Sequence, residues 1–256
     1  MTIFLGTIFC NDQLFFSCIY LIFIGLTSAF FFWGALFIWL VTLLFDRRLV
    51  ILHLYTSFWA YFYVWCMPAW SVTIKGKEKL NWNKQYIIVS NHQSQLDILV
   101  AFGLFFPFKW VSKLEVFKLP FIGWNMYLNR YISLKRGDKE SIRKMMSDCE
   151  RQIQKGCSIY MFPEGTRSKD GVLRPFKPGA FILAKQNNLP ILPVVINGTM
   201  QALPKHSLVL QKNHRISIII LDEIPVETIQ SMEPEEMALN VRALIDTHLF
   251  NASENL

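Results

Sequence analysis

Asn91-His92-Gln93-Ser94-Gln95-Leu96-Asp97 holds the residue types that proton transfer needs. A histidine titrates near neutral pH, so it can take a proton from a hydroxyl and return it. It does so only when one ring nitrogen is held as a donor and the other stays a free acceptor. A carboxylate supplies that hold and stabilises the imidazolium once formed. His92 and Asp97 are five residues apart. On one continuous helix they would stand about 140° apart, at roughly 100° per residue, and would not meet. With His92 in a loop and Asp97 in the first helical turn, they can. A structural reading stands beside the chemical one. Ser94 followed by Asp97 has the form of a capping box, Ser94 as N-cap and Asp97 at the third helical position. Ser94 as a covalent nucleophile lacks the Gly-x-Ser-x-Gly elbow.

The flanks say what must position this stretch. The β-branched run at 86–90 leads in, and the apolar run at 98–102 leads out. That pattern reads as a buried strand, a short loop and a helix. Strand-to-helix turns expose side chains at the carboxyl edge of a sheet, where α/β proteins place their chemistry. Further strands are predicted at 72–74, 109–112, 131–134, 158–162, 191–196 and 216–221. Helices are predicted at 98–105, 139–154 and 179–187, with a tail helix over 234–250. Strands alternating with helices predict an α/β domain with a mostly parallel sheet flanked by helices, over residues 71–256.

A second stretch, Phe162-Pro163-Glu164-Gly165-Thr166-Arg167-Ser168, starts about 65 residues after Asp97. Here an apolar strand ends and a polar turn begins. Pro163 fixes the chain and Gly165 lets the backbone turn tightly. The turn presents Glu164, Thr166 and Arg167 together, with a salt-bridged turn as the structural alternative. Together the two stretches resemble the glycerolipid acyltransferase family, the 1-acylglycerol-3-phosphate acyltransferases that make phosphatidate from lysophosphatidate. That family's first signature is Asn-His, four residues, then Asp. Its third is Phe-Pro-Glu-Gly-Thr-Arg-Ser, matched here throughout. The likeness covers roughly residues 70–225.

The resemblance implies more. Arg130-Tyr131-Ile132-Ser133-Leu134-Lys135-Arg136-Gly137 stands where the family has its second signature. Arg136 matches the terminal arginine, while Arg130 replaces a common glycine. A guanidinium at a strand end can grip a phosphate with two hydrogen bonds. The alternative is a solvated strand-end charge. By resemblance, Arg136, Glu164, Gly165, Thr166 and Arg167 form the acceptor site, and Glu164 and Arg167 contact the acceptor's glycerol or phosphate. His92 and Asp97 are then the general-base pair. Leu192-Pro193-Val194-Val195-Ile196-Asn197-Gly198 resembles the fourth signature and is expected to shape the acyl-donor site. The implied reaction moves a fatty acyl group from acyl-CoA, or from acyl carrier protein, to the sn-2 hydroxyl of lysophosphatidate, with no other cofactor. Another lysolipid or glycerol 3-phosphate as acceptor remains open, as does a non-enzymatic lipid-binding protein.

Composition points to a membrane. The 256 residues are 52% hydrophobic and 15% aromatic, and mean hydropathy is +0.29. That is too apolar for an ordinary cytosolic domain. Residues 13–45 carry no charge. No basic n-region precedes them, so they do not read as a signal peptide. A single helix of this length would be about 50 Å long, against a hydrocarbon core of roughly 30 Å. A split near Gly25-Leu26-Thr27-Ser28 predicts a two-helix hairpin anchor, with a tilted single span as the alternative. Asp46-Arg47-Arg48 marks the return to water, and the two arginines favour the cytoplasmic face, of a bacterial inner membrane or of the endoplasmic reticulum. The aromatic stretch 49–70 predicts an interfacial helix, or else a core helix, so residues 1–70 form the anchor.

Net charge is +7 and the pI about 9.2. Between Lys109 and Lys155 stand eleven basic and five acidic residues. With the membrane signals, that surplus suits membrane lipids rather than nucleic acid. The five cysteines have neither zinc nor disulfide-framework spacing and read as reduced. No metal-ligand pattern is seen. Asn197-Gly198-Thr199 and Asn251-Ala252-Ser253 match a glycosylation pattern by chance, and His53, His206, His214 and His248 receive no role.

Overall fold

The computed structural model describes the backbone of residues 2–168, 171–204 and 214–253, with side chains for 15–168, 171–204 and 214–249. Within these, seven strands form one sheet: β1 (Trp70–Lys75), β2 (Ile87–Ser90), β3 (Phe108–Lys113), β4 (Ile132–Leu134), β5 (Ser158–Met161), β6 (Ile191–Asn197) and β7 (His214–Ile220). Their order is β1-β7-β6-β2-β5-β3-β4. Strands β2 to β6 run parallel, β7 pairs antiparallel with β6, and β1 runs parallel to β7. The helices are α1 (Thr2–Thr42), α2 (Val50–Trp65), α3 (Leu96–Ala101), α4 (Ile122–Leu128), α5 (Lys139–Ile153), α6 (Gly179–Asn187), α7 (Thr199–Ala202), α8 (Val226–Ser231) and α9 (Pro234–Ser253).

The central strands β2, β5 and β6 are buried along their whole length. A strand covered on both faces needs apolar residues at every position, which explains the continuous runs. Alternate residues serve opposite layers. Ile88, Tyr160, Val194 and Ile218 join the layer under α2 and α3. Ile87, Val89, Ile159 and Met161 join the layer under α5, α6 and α9.

The N-terminal break does not occur where the sequence predicts it. Helix α1 runs unbroken through Gly25-Leu26-Thr27-Ser28. A lone glycine does not end a helix in an apolar setting. The two hydroxyls are absorbed without a turn: Thr27 Oγ1 donates to the Phe23 carbonyl at 2.6 Å, and Ser28 Oγ meets Tyr63 Oη at 3.1 Å. The chain reverses instead at 43–49, where the Val50 and Ile51 amides donate to Asp46 Oδ1 and Oδ2 at 2.9 and 2.8 Å. Asp46 is therefore the cap of α2. Among the described residues one helical stretch, Phe15–Thr42, is long and apolar enough to cross a membrane, with hydropathy 2.2. Its 28 residues span about 42 Å at 1.5 Å each.

Helix α2, expected along an interface, packs antiparallel to α1 and between α1 and the sheet. Leu52, His53, Thr56, Ser57, Trp59, Ala60, Tyr63 and Val64 are buried, so it is a core helix over half its length. His53 Nδ1 meets Tyr131 Oη at 2.8 Å. Among the described cysteines, Cys18, Cys66, Cys149 and Cys157 are free. His206 lies outside the described residues, and so does the side chain of Cys10.

Candidate active site

The five parallel strands β2 to β6 end at one edge of the sheet, and the loops that leave them converge there. The loop after β2 carries His92. The imidazole Nδ1 stands 2.8 Å from Asp97 Oδ2, and Asp97 is fully buried. That oxygen also accepts the backbone N–H groups of Gln93 and Ser94 at 2.6 and 2.8 Å. The other oxygen accepts the Thr199 hydroxyl at 2.5 Å. A carboxylate oxygen that already gathers two backbone N–H groups is an acceptor, so in this contact Nδ1 is read as the donor. Nε2 is left as an acceptor. The N-cap of α3 is Gln95 rather than the expected Ser94, and Asp97 is the second helical residue; its carboxylate ties the loop through the Gln93 and Ser94 amides and orients the ring.

The ring lies flat on Phe162, centroids 4.0 Å apart at 15°. Phe162 in turn stacks on Trp110 at 5.4 Å. This aromatic wall excludes water from one face of the imidazole and fixes its plane.

Glu164 has partners other than those the resemblance suggests. It is 4% exposed. Oε1 accepts the His92 backbone N–H at 2.6 Å, and Oε2 accepts that of Arg174 at 3.0 Å. The Ser168 amide donates to the His92 carbonyl at 2.9 Å. The turn after β5 and the loop after β2 are thereby laced together. Burial pushes the Glu164 carboxyl up to about 7, against the lowering effect of the two amides, and nearby Asp97 adds to the rise. Gly165 sits at φ +68, and a Cβ there would stand 3.0 Å from Lys177 Nζ. That backbone conformation suits glycine.

Thr166 and Arg167 are half-buried in the same turn. Arg136 leaves the end of β4 and is exposed. Partial burial lowers its pKa below the ordinary value. Glu115 opposes this, and the Arg167 guanidinium adds to the lowering. The Arg167 guanidinium is thus near enough to Arg136 to act on it electrostatically. Lys113, the last residue of β3, pairs in register with Leu134 at this edge, and its ammonium is 3.2 Å from Glu115.

Sequence reasoning missed Thr199, Phe162 as a stacking partner, and Lys113. Thr199 had one signal, a polar residue at the end of a predicted strand. It lies in the Asn197-Gly198-Thr199 match, whose acceptor Asn197 is itself buried.

A family model described as Acyltransferase matches residues 71–197. A chloroplastic 1-acyl-sn-glycerol-3-phosphate acyltransferase of Brassica napus is 38% identical over 180 residues, 70% of this chain and 52% of that one. A 1-acyl-sn-glycerol-3-phosphate acyltransferase of Saccharomyces cerevisiae is 36% identical over 183 residues, 69% of this chain and 59% of that one. The chain thus spans about half the length of such relatives. Among solved structures, the 1-acyl-sn-glycerophosphate acyltransferase PlsC of Thermotoga maritima superposes with a TM-score of 0.75 at 21% identity, over 94% of this chain and 98% of that one. That likeness bears on the fold.

Proposed function

This chain belongs to the acyltransferase family, and from that premise we propose that it transfers a fatty acyl group from a thioester to the sn-2 hydroxyl of 1-acylglycerol 3-phosphate. His92 Nε2 takes the hydroxyl proton as the oxygen attacks the thioester carbonyl. The C–O bond forms and the C–S bond breaks. The leaving thiolate recovers the proton from the imidazolium, so the products are phosphatidate and a free thiol. Asp97 keeps the ring in the required tautomer and stabilises its cationic form. Arg136 and Arg167 hold the phosphate, with Thr166 and Gly165 shaping the turn beside it. Glu164 acts as a positioning residue through the His92 amide. The donor is acyl-CoA or acyl carrier protein. Helix α1 holds the enzyme at a membrane, with the catalytic domain on the cytoplasmic face.

The observation that carries this reading is the 2.8 Å contact between His92 Nδ1 and Asp97, at the sheet edge that also bears Arg136 and Arg167. The test is turnover by the purified full chain in detergent or vesicles. Acyl thioester and lysophosphatidate are supplied and phosphatidate is measured by mass spectrometry. Removing a general base typically costs about 10²- to 10⁴-fold in rate. His92→Ala should lose that much while keeping its unfolding temperature. Near-normal turnover by this variant refutes the assignment. A panel of other lysolipids and glycerol 3-phosphate identifies the preferred acceptor.

A further inference from the structure

Helix α4 and the turn before it present an apolar outer face that the fold does not cover. Trp124 is 47% exposed and Tyr127 59%, with Leu119 at 47% just ahead of them. Trp124 and Tyr127 are three residues apart and so share one face. The inner face is locked. Gly123 sits against the Phe117 backbone, and Asn125 Nδ2 donates to Thr56 Oγ1 at 3.1 Å. Positive φ values at Phe121 and Arg130 bracket the helix, and such turns are costly for residues with side chains. The outward rings are therefore held in place.

Scattered exposed apolar residues are ordinary, but these are continuous with α1. Phe32 of α1 touches both Phe121 and Trp124, at centroid distances of 5.9 and 5.4 Å. Beside it Phe30, Trp33 and Phe37 of α1 are exposed. The ends of the α4 segment carry exposed Lys118 and Arg130. Arg130 also lines a cleft of about 340 Å³ with Lys155 and with Arg151, which is paired there with Asp148 at 2.8 Å. An apolar face bearing Trp and Tyr, with cations at both ends, matches the headgroup layer of an anionic bilayer.

We infer that the catalytic domain has its own membrane contact: the segment 118–130 seats Leu119, Trp124 and Tyr127 at the headgroup level of an anionic bilayer, beside α1. This rests on the reading of α1 as a membrane helix. It sets the domain's orientation, because α4 lies between the strand β3, which ends at the site edge, and β4.

The test reconstitutes the full chain in vesicles of phosphatidylcholine and phosphatidylglycerol with a trace of diazirine-bearing phosphatidylcholine. After irradiation, lipid adducts are mapped by peptide mass spectrometry. Adducts are expected on α1 and on 118–130, and none on α9, whose exposed Leu239 and Leu244 lie on the other side of the sheet. Each cation near an anionic surface strengthens attachment about fivefold. K118E combined with R130E should therefore lower label on 118–130 by at least that factor, and should do so only when phosphatidylglycerol is present. Adducts on α1 with none on 118–130 overturn the inference while leaving the anchor intact. Protein–protein crosslinks through 118–130 in place of lipid adducts overturn it in favour of a second copy of this chain. Absence of adducts from both segments overturns the inference together with the anchor.

Discussion

Thr199 and Glu164 act on His92 through other groups. The Thr199 hydroxyl holds one Asp97 oxygen, so the carboxylate cannot swing away from Nδ1. Thr199→Val leaves that buried oxygen short of a donor, a loss worth a few kcal/mol at most. Steady-state kinetics should show kcat down about tenfold, in line with the lower part of that range, with KM for lysophosphatidate unchanged. Thr199→Ser, which restores the hydroxyl, should recover most of the rate. A purely structural role would lower the active fraction without Ser rescue. Glu164 makes a prediction of opposite kind, about pH. Its carboxyl is raised from 4.5 to about 7 in the folded chain. Between those values the folded state holds a proton that the unfolded state has lost. The contribution to stability is therefore fully present below about 4.5 and is lost as pH rises through about 7. Glu164→Gln cannot titrate. Thermal unfolding in detergent should show the wild type losing ground to Glu164→Gln across that window. The reverse slope would contradict the assignment.

Between elements, one phenol gathers several of the ties that join α1 to α2. Tyr63 Oη meets Thr27 Oγ1 at 3.0 Å and Ser28 Oγ at 3.1 Å, and accepts from Trp59 Nε1 at 2.9 Å. Tyr63→Phe strands the buried indole N–H and the Ser28 hydroxyl, while Thr27 keeps its bond to the Phe23 carbonyl. Stranding a buried donor costs about 1–3 kcal/mol, so denaturant unfolding in detergent should show a loss in that range. No loss would mean that water or a shifted rotamer satisfies these groups. This contact also explains why the N-terminal break was misread. Gly25, Thr27 and Ser28 within four residues look like a turn when only neighbours are counted. Their partner lies 35 residues away. The central strands β2, β5 and β6, by contrast, were legible, because burial on both faces writes itself as an unbroken apolar run. The helices at Ile122–Leu128 and Val226–Ser231 were not, being too short to show a period.

At the scale of the whole molecule, the contact between His92 and Asp97 was legible because both partners sit in one loop-helix turn. The lacing of that turn to the rest was not. Thr199 reaches Asp97 across 102 residues, and Glu164 reaches the His92 amide across 72. Only the sheet order, which sets β5 and β6 on either side of β2, brings them together. The opposite edge of the sheet carries a second long-range tie. Lys109, 2% exposed, donates to the carbonyls of Arg48 and Asn129, each at 2.9 Å. It thus fastens the α1–α2 turn to the end of α4. Burial lowers the Lys109 pKa to about 8. Lys109→Met keeps the bulk but leaves both carbonyls unpaired. Limited proteolysis should then cut the 43–49 turn sooner than in the wild type, and equal cutting rates would argue against the tie.

The unbroken first helix has a consequence for how the protein is made. Its packing surface on α4 is encoded some eighty residues further along the chain. At about 5–20 residues per second, the ribosome delivers that surface roughly four to sixteen seconds after α1 emerges. Through that interval the face of α1 that meets α4 has no partner, and on the reading of α1 as a membrane helix its insertion precedes assembly of the sheet.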